Sequence, residues 1–361
     1  MRNGVPIASQ NAARIRDAGA IRDRSLAAAP CDRVFDHANG FPPHKRALEF
    51  FRMRFPVLLI DPQATDIKHI LAQSAPDIEF IEDIGDVESV RQCEIWFGAP
   101  DKAAALLVNG FKPRWFQSTW AGIRPLLSDR LPTDYRLSRA VGIFGQPIAE
   151  YVLARLLEHS QQLRARALSQ AHQEWNASLP GVLSGSKVLI VGAGEIGQSV
   201  AGYLRPFGVR LTGVATLARP VPNFDAVVTL ADLCTVATDA DYVVNILPDT
   251  TATTDIFDDA FFAALKPGAI FINVGRGSAV VDRALISALE QGRLAAAVLD
   301  VFREEPLPVA HPFWTTPRLT LTGHIAGPTI PSLICGLFVE NLRRFNAGDA
   351  LKGEVDFLRP Y

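Results

Sequence analysis

The segment Gly192-Ala193-Gly194-Glu195-Ile196-Gly197 constrains this chain more than any other, because it follows directly on the apolar run Val188 to Val191 and opens a stretch with helical spacing. A glycine-rich turn between a buried strand and a helix lets the backbone approach a pyrophosphate and aims the helix N-terminus at it. Alone, GxGxxG spacing is weak evidence, and a glycine-rich turn without a ligand is the competing reading. In a strand-turn-helix context it predicts a dinucleotide cradle, with Gly192, Gly194, Glu195, Ile196 and Gly197 as cofactor-binding candidates.

The surrounding pattern extends that unit. Apolar runs at Leu211 to Val214, Asp241 to Ile246, Ala269 to Val274, Ala296 to Leu299 and Leu319 to Leu321 are separated by helical patterns. Strands alternating with helices predict a parallel, doubly wound α/β sheet of the Rossmann type. Upstream, Phe55 to Ile60, Ile95 to Phe97 and Trp115 to Gln117 predict a smaller α/β unit. Between the two, Glu150 through Leu163 to Leu168 reads as one long amphipathic helix, and the helical spacing beyond Pro331 can return the chain to the first unit.

A length of 361 residues suits two cores, since single cores stop growing near roughly 250 to 300 residues. The expected division is an extension over 1–52, a substrate domain of two segments (53–148 and 326–361), and a coenzyme domain over 149–325. The extension is rich in Ala and Arg and reads as a dispensable tail, with Met53 standing just before the first strand. Its acids Asp17, Asp23, Asp32 and Asp36 count against an organelle-targeting role.

Composition narrows the partners. The chain has 36 Lys and Arg against 38 Asp and Glu, a net charge of -2, so no basic footprint for nucleic acid or an anionic membrane is expected. No apolar run reaches the roughly 20 residues of a membrane span. Cys31, Cys93, Cys234 and Cys335 form no CxxC pair, which argues against a disulfide framework or a structural zinc and fits a cytoplasmic protein. Small metabolites remain as ligands.

Three further motifs sit just beyond the carboxyl ends of successive strands, where a parallel sheet places its chemistry. They are Asn273 to Gly277, Asp300-Val301-Phe302 with Glu305-Pro306-Leu307, and Thr322 to Gly327. Arg276, Glu305 and His324 are the catalytic candidates. Taken singly, Arg276 can be a salt-bridge cation, Glu305 a solvated carboxylate and His324 structural. Together they meet the needs of 2-oxo acid reduction: a planar fork for a carboxylate, a proton donor titrating near neutrality, and a carboxylate that orients the donor.

The end of the second strand bears on the cofactor. NAD-binding units usually carry an acid there, about 20 residues past the glycines. Here Val214 is followed by Ala215, Thr216, Leu217, Ala218 and Arg219, with no carboxylate before Asp225. Thr216 and Arg219 suit a 2'-phosphate, so NADP(H) is favoured over NAD(H). Arg219 as a solvated loop cation is the alternative.

With these residues in view, the chain from about Met53 to Tyr361 resembles the D-2-hydroxyacid dehydrogenase family, and within it the glyoxylate and hydroxypyruvate reductase group. The resemblance rests on Gly192 to Gly197, Leu247-Pro248, Asn273 to Gly277, Leu299 to Leu307 and His324-Ile325-Ala326. It implies a flavodoxin-like substrate domain and reduction of a small 2-oxo acid to a D-2-hydroxy acid. Arg276 would bind substrate, Glu305 would support His324, and His324 would be the acid/base. The resemblance further implies cofactor contacts from Leu247, Pro248, Val274, Gly275, Asp300 and Ala326, and substrate contacts from Trp96, Ala121, Gly122 and Ile123. It also implies a homodimer formed through the helix from Glu150.

Two departures from the family stand out. Gly323 replaces the proline that usually precedes the histidine, and Thr216 and Ala218 stand where NADP-preferring members carry arginines. A dinucleotide-sensing, corepressor-like interaction protein on the same fold is the alternative from another class.

Overall fold

The computed structural model describes residues 56–358, so the extension expected over 1–52 lies outside the described residues. Strands β1 (Val57–Ile60), β2 (Phe80–Ile81), β3 (Ile95–Gly98), β4 (Trp115–Ser118) and β5 (Arg136–Ser138) form one sheet in the order β2-β1-β3-β4-β5. Strands β6 (Lys187–Val191), β7 (Arg210–Ala215), β8 (Ala226–Thr229), β9 (Tyr242–Asn245), β10 (Ala269–Asn273), β11 (Leu294–Leu299) and β12 (Leu319–Leu321) form a second, in the order β12-β11-β10-β9-β6-β7-β8. Neighbouring strands pair in parallel in both sheets.

The unbroken apolar runs have a direct cause. Val57 and Leu59 face one core while Leu58 and Ile60 face another; Val188 and Ile190 likewise oppose Leu189 and Val191. A parallel strand covered on both faces has no polar side to alternate with. In the larger sheet the order reverses where β6 pairs with both β7 and β9. Such switch points open a crevice outside the carboxyl ends of the strands, which is where the GxGxxG turn lies.

Three strands escaped the sequence reading. All three are edge strands: β2 has two residues and β5 three, and neither β2 nor β8 contains a fully buried residue. The single helix expected from Glu150 to Leu168 is instead two, Gly145–Ser160 and Leu163–Ala171. Gln162 interrupts them with a left-handed backbone (φ 53°), and the Arg166 guanidinium closes the break by donating to the Gln161 carbonyl at 2.8 Å.

The helix Gly145–Ser160 packs on the helix Glu195–Leu204, and an added Cβ at Gly145 would stand 2.7 Å from Ser199 Oγ. The helix Pro331–Ala347 covers the smaller sheet. Its Phe338 stacks on Phe97 (centroids 4.3 Å apart), and Asn341 donates to the buried Gln117 Oε1 at 2.7 Å. Among the described residues, no helix is long and apolar enough to cross a membrane.

Candidate active site

The glycine turn has the form a pyrophosphate cradle requires. Gly192 has φ +116°, in the region that favours glycine, and the Gly192 and Ala193 amides donate to the Val214 carbonyl at 3.0 and 2.8 Å. A Cβ on Gly197 would lie 2.0 Å from the Gly192 carbonyl oxygen, so the first helical turn closes on the loop only with glycine there. Gly194 caps the helix and would meet nothing within 4 Å. That open space beside the first helical amides fits a dinucleotide phosphate. Thr216 and Arg219 are both exposed beyond β7.

The next two strand ends are joined by a buried amide pair. Asn245 Nδ2 donates to Asn273 Oδ1 (2.9 Å), Asn273 Oδ1 also accepts from the Gly275 amide (3.1 Å), and Asn245 Oδ1 accepts from the Leu247 amide (3.1 Å). Both asparagines are fully buried, and leaving such groups unpaired would cost roughly 1–3 kcal/mol each. The loop from Asn273 to Gly277 then wedges between its neighbours. A Cβ on Gly275 would lie 2.8 Å from the Leu247 carbonyl oxygen, and one on Gly277 only 1.9 Å from the Phe302 carbonyl carbon. Backbone-to-backbone packing thus carries Arg276 to the side of the Phe302 loop.

Glu305 is held at both oxygens. Oε1 accepts from the Phe302 amide at 2.8 Å, and Oε2 lies 2.7 Å from His324 Nδ1. Burial acts against its charge, yet the bonds from His324 and Phe302, with the positive charge of His324 and Arg276, hold its carboxyl below the ordinary glutamate range. With Nδ1 turned to the carboxylate, Nε2 is the ring atom left for a reacting group, and half of the His324 side chain is open to solvent (51%). The Arg276 guanidinium faces the smaller sheet, where a Cβ on Gly122 would stand 3.1 Å from its Nη2. That geometry can hold a carboxylate against Arg276 while a proton passes at His324.

The histidine sits on a constrained loop. His324 has φ 57°, a left-handed backbone that costs a non-glycine residue roughly 1–3 kcal/mol, and its amide donates to the Asp300 carbonyl at 2.8 Å. The Asp300 carboxylate is 1% exposed and accepts from Thr322 Oγ1 (2.5 Å), the Ile325 amide (2.9 Å) and the Ala326 amide (2.8 Å). Tyr151, from the helix Gly145–Ser160, places its hydroxyl 2.7 Å from Thr322 Oγ1.

The structure therefore brings His324 to Glu305, the Arg276 charge beside Glu305 and Gly122 beside the Arg276 guanidinium, with Leu247, Pro248, Val274 and Gly275 following the ends of β9 and β10. Among the expected contact residues, Trp96, Asp300 and Ala326 are buried. Trp96 is 1% exposed inside the smaller sheet's core, with its indole N–H donating to the Cys93 carbonyl at 3.1 Å. The Ala326 amide donates to the Asp300 carboxylate at 2.8 Å. The sequence assigned no role to Asn245, Tyr151 or Thr322. Only the Thr322 position, two residues before His324, carried a local hint.

A doubly wound sheet with a glycine cradle at its switch point and an Arg, Glu and His at the following strand ends defines a nicotinamide-dependent oxidoreductase. A model of the D-isomer specific 2-hydroxyacid dehydrogenase NAD binding domain matches residues 153–326. Glyoxylate/hydroxypyruvate reductase A of Serratia proteamaculans (strain 568) is 40% identical over 219 residues, covering 60% of this chain and 69% of the relative. A solved D-isomer specific 2-hydroxyacid dehydrogenase family protein from Aeromonas salmonicida superposes with a TM-score of 0.81 at 36% identity, over 84% of this chain and 100% of that one. An NADPH-dependent glyoxylate/hydroxypyruvate reductase from Sinorhizobium meliloti, solved with NADP and sulfate, gives 0.75 at 27% identity, over 85% and 100%. The chain belongs to the D-isomer specific 2-hydroxyacid dehydrogenase family, and with it to the NAD(P)-dependent dehydrogenases.

Proposed function

We propose that the chain reduces a small 2-oxo acid of the glyoxylate/hydroxypyruvate type to the D-2-hydroxy acid, using NADPH in preference to NADH. The observation that carries this reading is the His324 ring held 2.7 Å from Glu305, with the Arg276 charge beside that carboxylate. Arg276 grips the substrate carboxylate with its planar fork and polarises the neighbouring carbonyl. Backbone amides of Gly122 and Ile123 face the same carboxylate from the smaller sheet. When bound, the nicotinamide supplies the hydride. His324 carries a proton on Nε2 to the carbonyl oxygen, and in the reverse direction the neutral ring removes it from the hydroxyl. Glu305 keeps the ring oriented through Nδ1.

The preference for NADPH is supported by the missing carboxylate after β7 and by exposed Thr216 and Arg219 there, as well as by the NADP-bound Sinorhizobium relative. We further assign the dinucleotide to a domain over 149–325 and the substrate to one over 53–148 and 326–361. The working form is a cytoplasmic homodimer. Leu163, Leu168, Trp175, Leu179 and Val182 are between 51% and 94% exposed on and after the second linker helix, and a second copy of the chain would cover them.

The test is loss of reduced-nicotinamide absorbance with glyoxylate or hydroxypyruvate, NADPH and NADH compared. Turnover with NADPH is expected for at least one acid. Silence with both acids, while dinucleotide binding stays tight, would instead support the sensing protein.

A further inference from the structure

A chain of hydroxyls runs from the linker helix to the histidine loop, and no step above uses it. The Asp300 carboxylate can only accept, so the single Thr322 hydroxyl proton goes to Asp300 Oδ1 at 2.5 Å. Thr322 Oγ1 must then accept at its other contact, which makes the Tyr151 hydroxyl the donor at 2.7 Å. Burial raises the Tyr151 phenol above its ordinary range, against the opposing effect of the Thr322 bond and the Arg155 charge. The donor therefore stays protonated.

Asp300 in turn anchors the three amides at and after the histidine. His324 N–H binds its carbonyl, and the Ile325 and Ala326 amides bind its carboxylate. Gly323 contributes no packing of its own, since a Cβ there would meet nothing within 4 Å. A loop whose preceding residue is an open glycine, and whose own backbone is left-handed, stays in place only if something outside it holds it.

We propose that Tyr151 and Thr322 are positioning residues: acting through Asp300, they hold the 322–326 loop in the conformation that brings His324 Nδ1 to Glu305. The inference rests on the reading of His324 as the acid. The charged groups facing this device are Glu305 on the ring, Arg276 beside Glu305, Asp300 below the loop, and Arg155 over the Tyr151 ring at 4.8 Å.

The test uses the full chain with NADPH and glyoxylate, following kcat and KM across pH in Tyr151→Phe, Thr322→Val, Thr322→Ser and His324→Ala. Thr322→Val is expected to lose roughly ten- to hundred-fold in kcat, and Tyr151→Phe several-fold, with the KM for NADPH nearly unchanged. In both, the alkaline limb of the reductive rate should move to lower pH. Thr322→Ser should restore most of the activity. The double variant Tyr151→Phe, Thr322→Val should be no slower than Thr322→Val alone, because both break one chain. Wild-type kcat and limb in both single variants, with His324→Ala inactive, would overturn the positioning role alone. Wild-type turnover in His324→Ala would overturn the reading beneath it. Crystal structures give a readout that needs no substrate: Nδ1 still on Glu305 in Thr322→Val, or in Tyr151→Phe should the former not fold, sinks the proposal.

Discussion

The loops after β10, β11 and β12 and the loop after β7 leave the same edge of one sheet, yet they are built differently. The first three are fixed by glycine backbone contacts, a buried asparagine pair and an aspartate that accepts from three donors in the histidine loop. The residues from Thr216 to Pro220 are all exposed. The difference suits the proposed roles: a group that moves a proton tolerates little misplacement, whereas a group that would choose between two dinucleotides needs only charge within reach of one ribose. The first kind of loop should resist substitution and the second should accept it.

Replacing His324 by Ala is the harshest test. Turnover should fall by roughly 100- to 10,000-fold while dinucleotide affinity is retained, as stopped-flow rates and a binding titration would check. Gly277→Ala probes the packing itself. Its Cβ would strike the Phe302 backbone, so a loss of about 1–3 kcal/mol in denaturant unfolding is expected along with weakened turnover. An unchanged midpoint would mean that the wedge between the loops is softer than its contacts suggest.

Glu305→Gln should cost roughly tenfold in rate, since the ring loses the carboxylate that orients it. The sign for stability follows from the lowered Glu305 carboxyl. Its contribution is present above the ordinary glutamate value near about 4.3 and is lost as pH falls through the lower folded value. The variant should therefore lose less stability on acidification than the parent does, in thermal scans across that window. The smallest effect is expected at Arg219→Ala: KM for NADPH rises several-fold while that for NADH and the melting temperature stay put. Equal effects on both cofactors would remove Arg219 from the 2'-phosphate.

Read in order along the chain, the residues announced the six apolar strands of the larger sheet, the glycine cradle and the three chemical motifs. Each of these is a local pattern: a buried parallel strand is apolar throughout, and a tight turn at φ +116° needs glycine. The edge strand β8 was illegible because exposure leaves it no such signature. The break at Gln162 was hidden as well, since glutamine is an unremarkable helix residue and only its backbone angle marks the kink.

What the sequence determined by itself was the kind of fold, with Arg276, Glu305 and His324 as a candidate set. Tertiary structure alone decided what holds them. Trp96 is packed into a core, Asp300 accepts from three donors in the histidine loop, and Tyr151, 173 positions from His324, reaches that loop through one hydroxyl. Periodicity and turn chemistry act between near neighbours in the chain. Burial and hydrogen-bond partnership are properties of the packed molecule, and they appear only when distant segments meet.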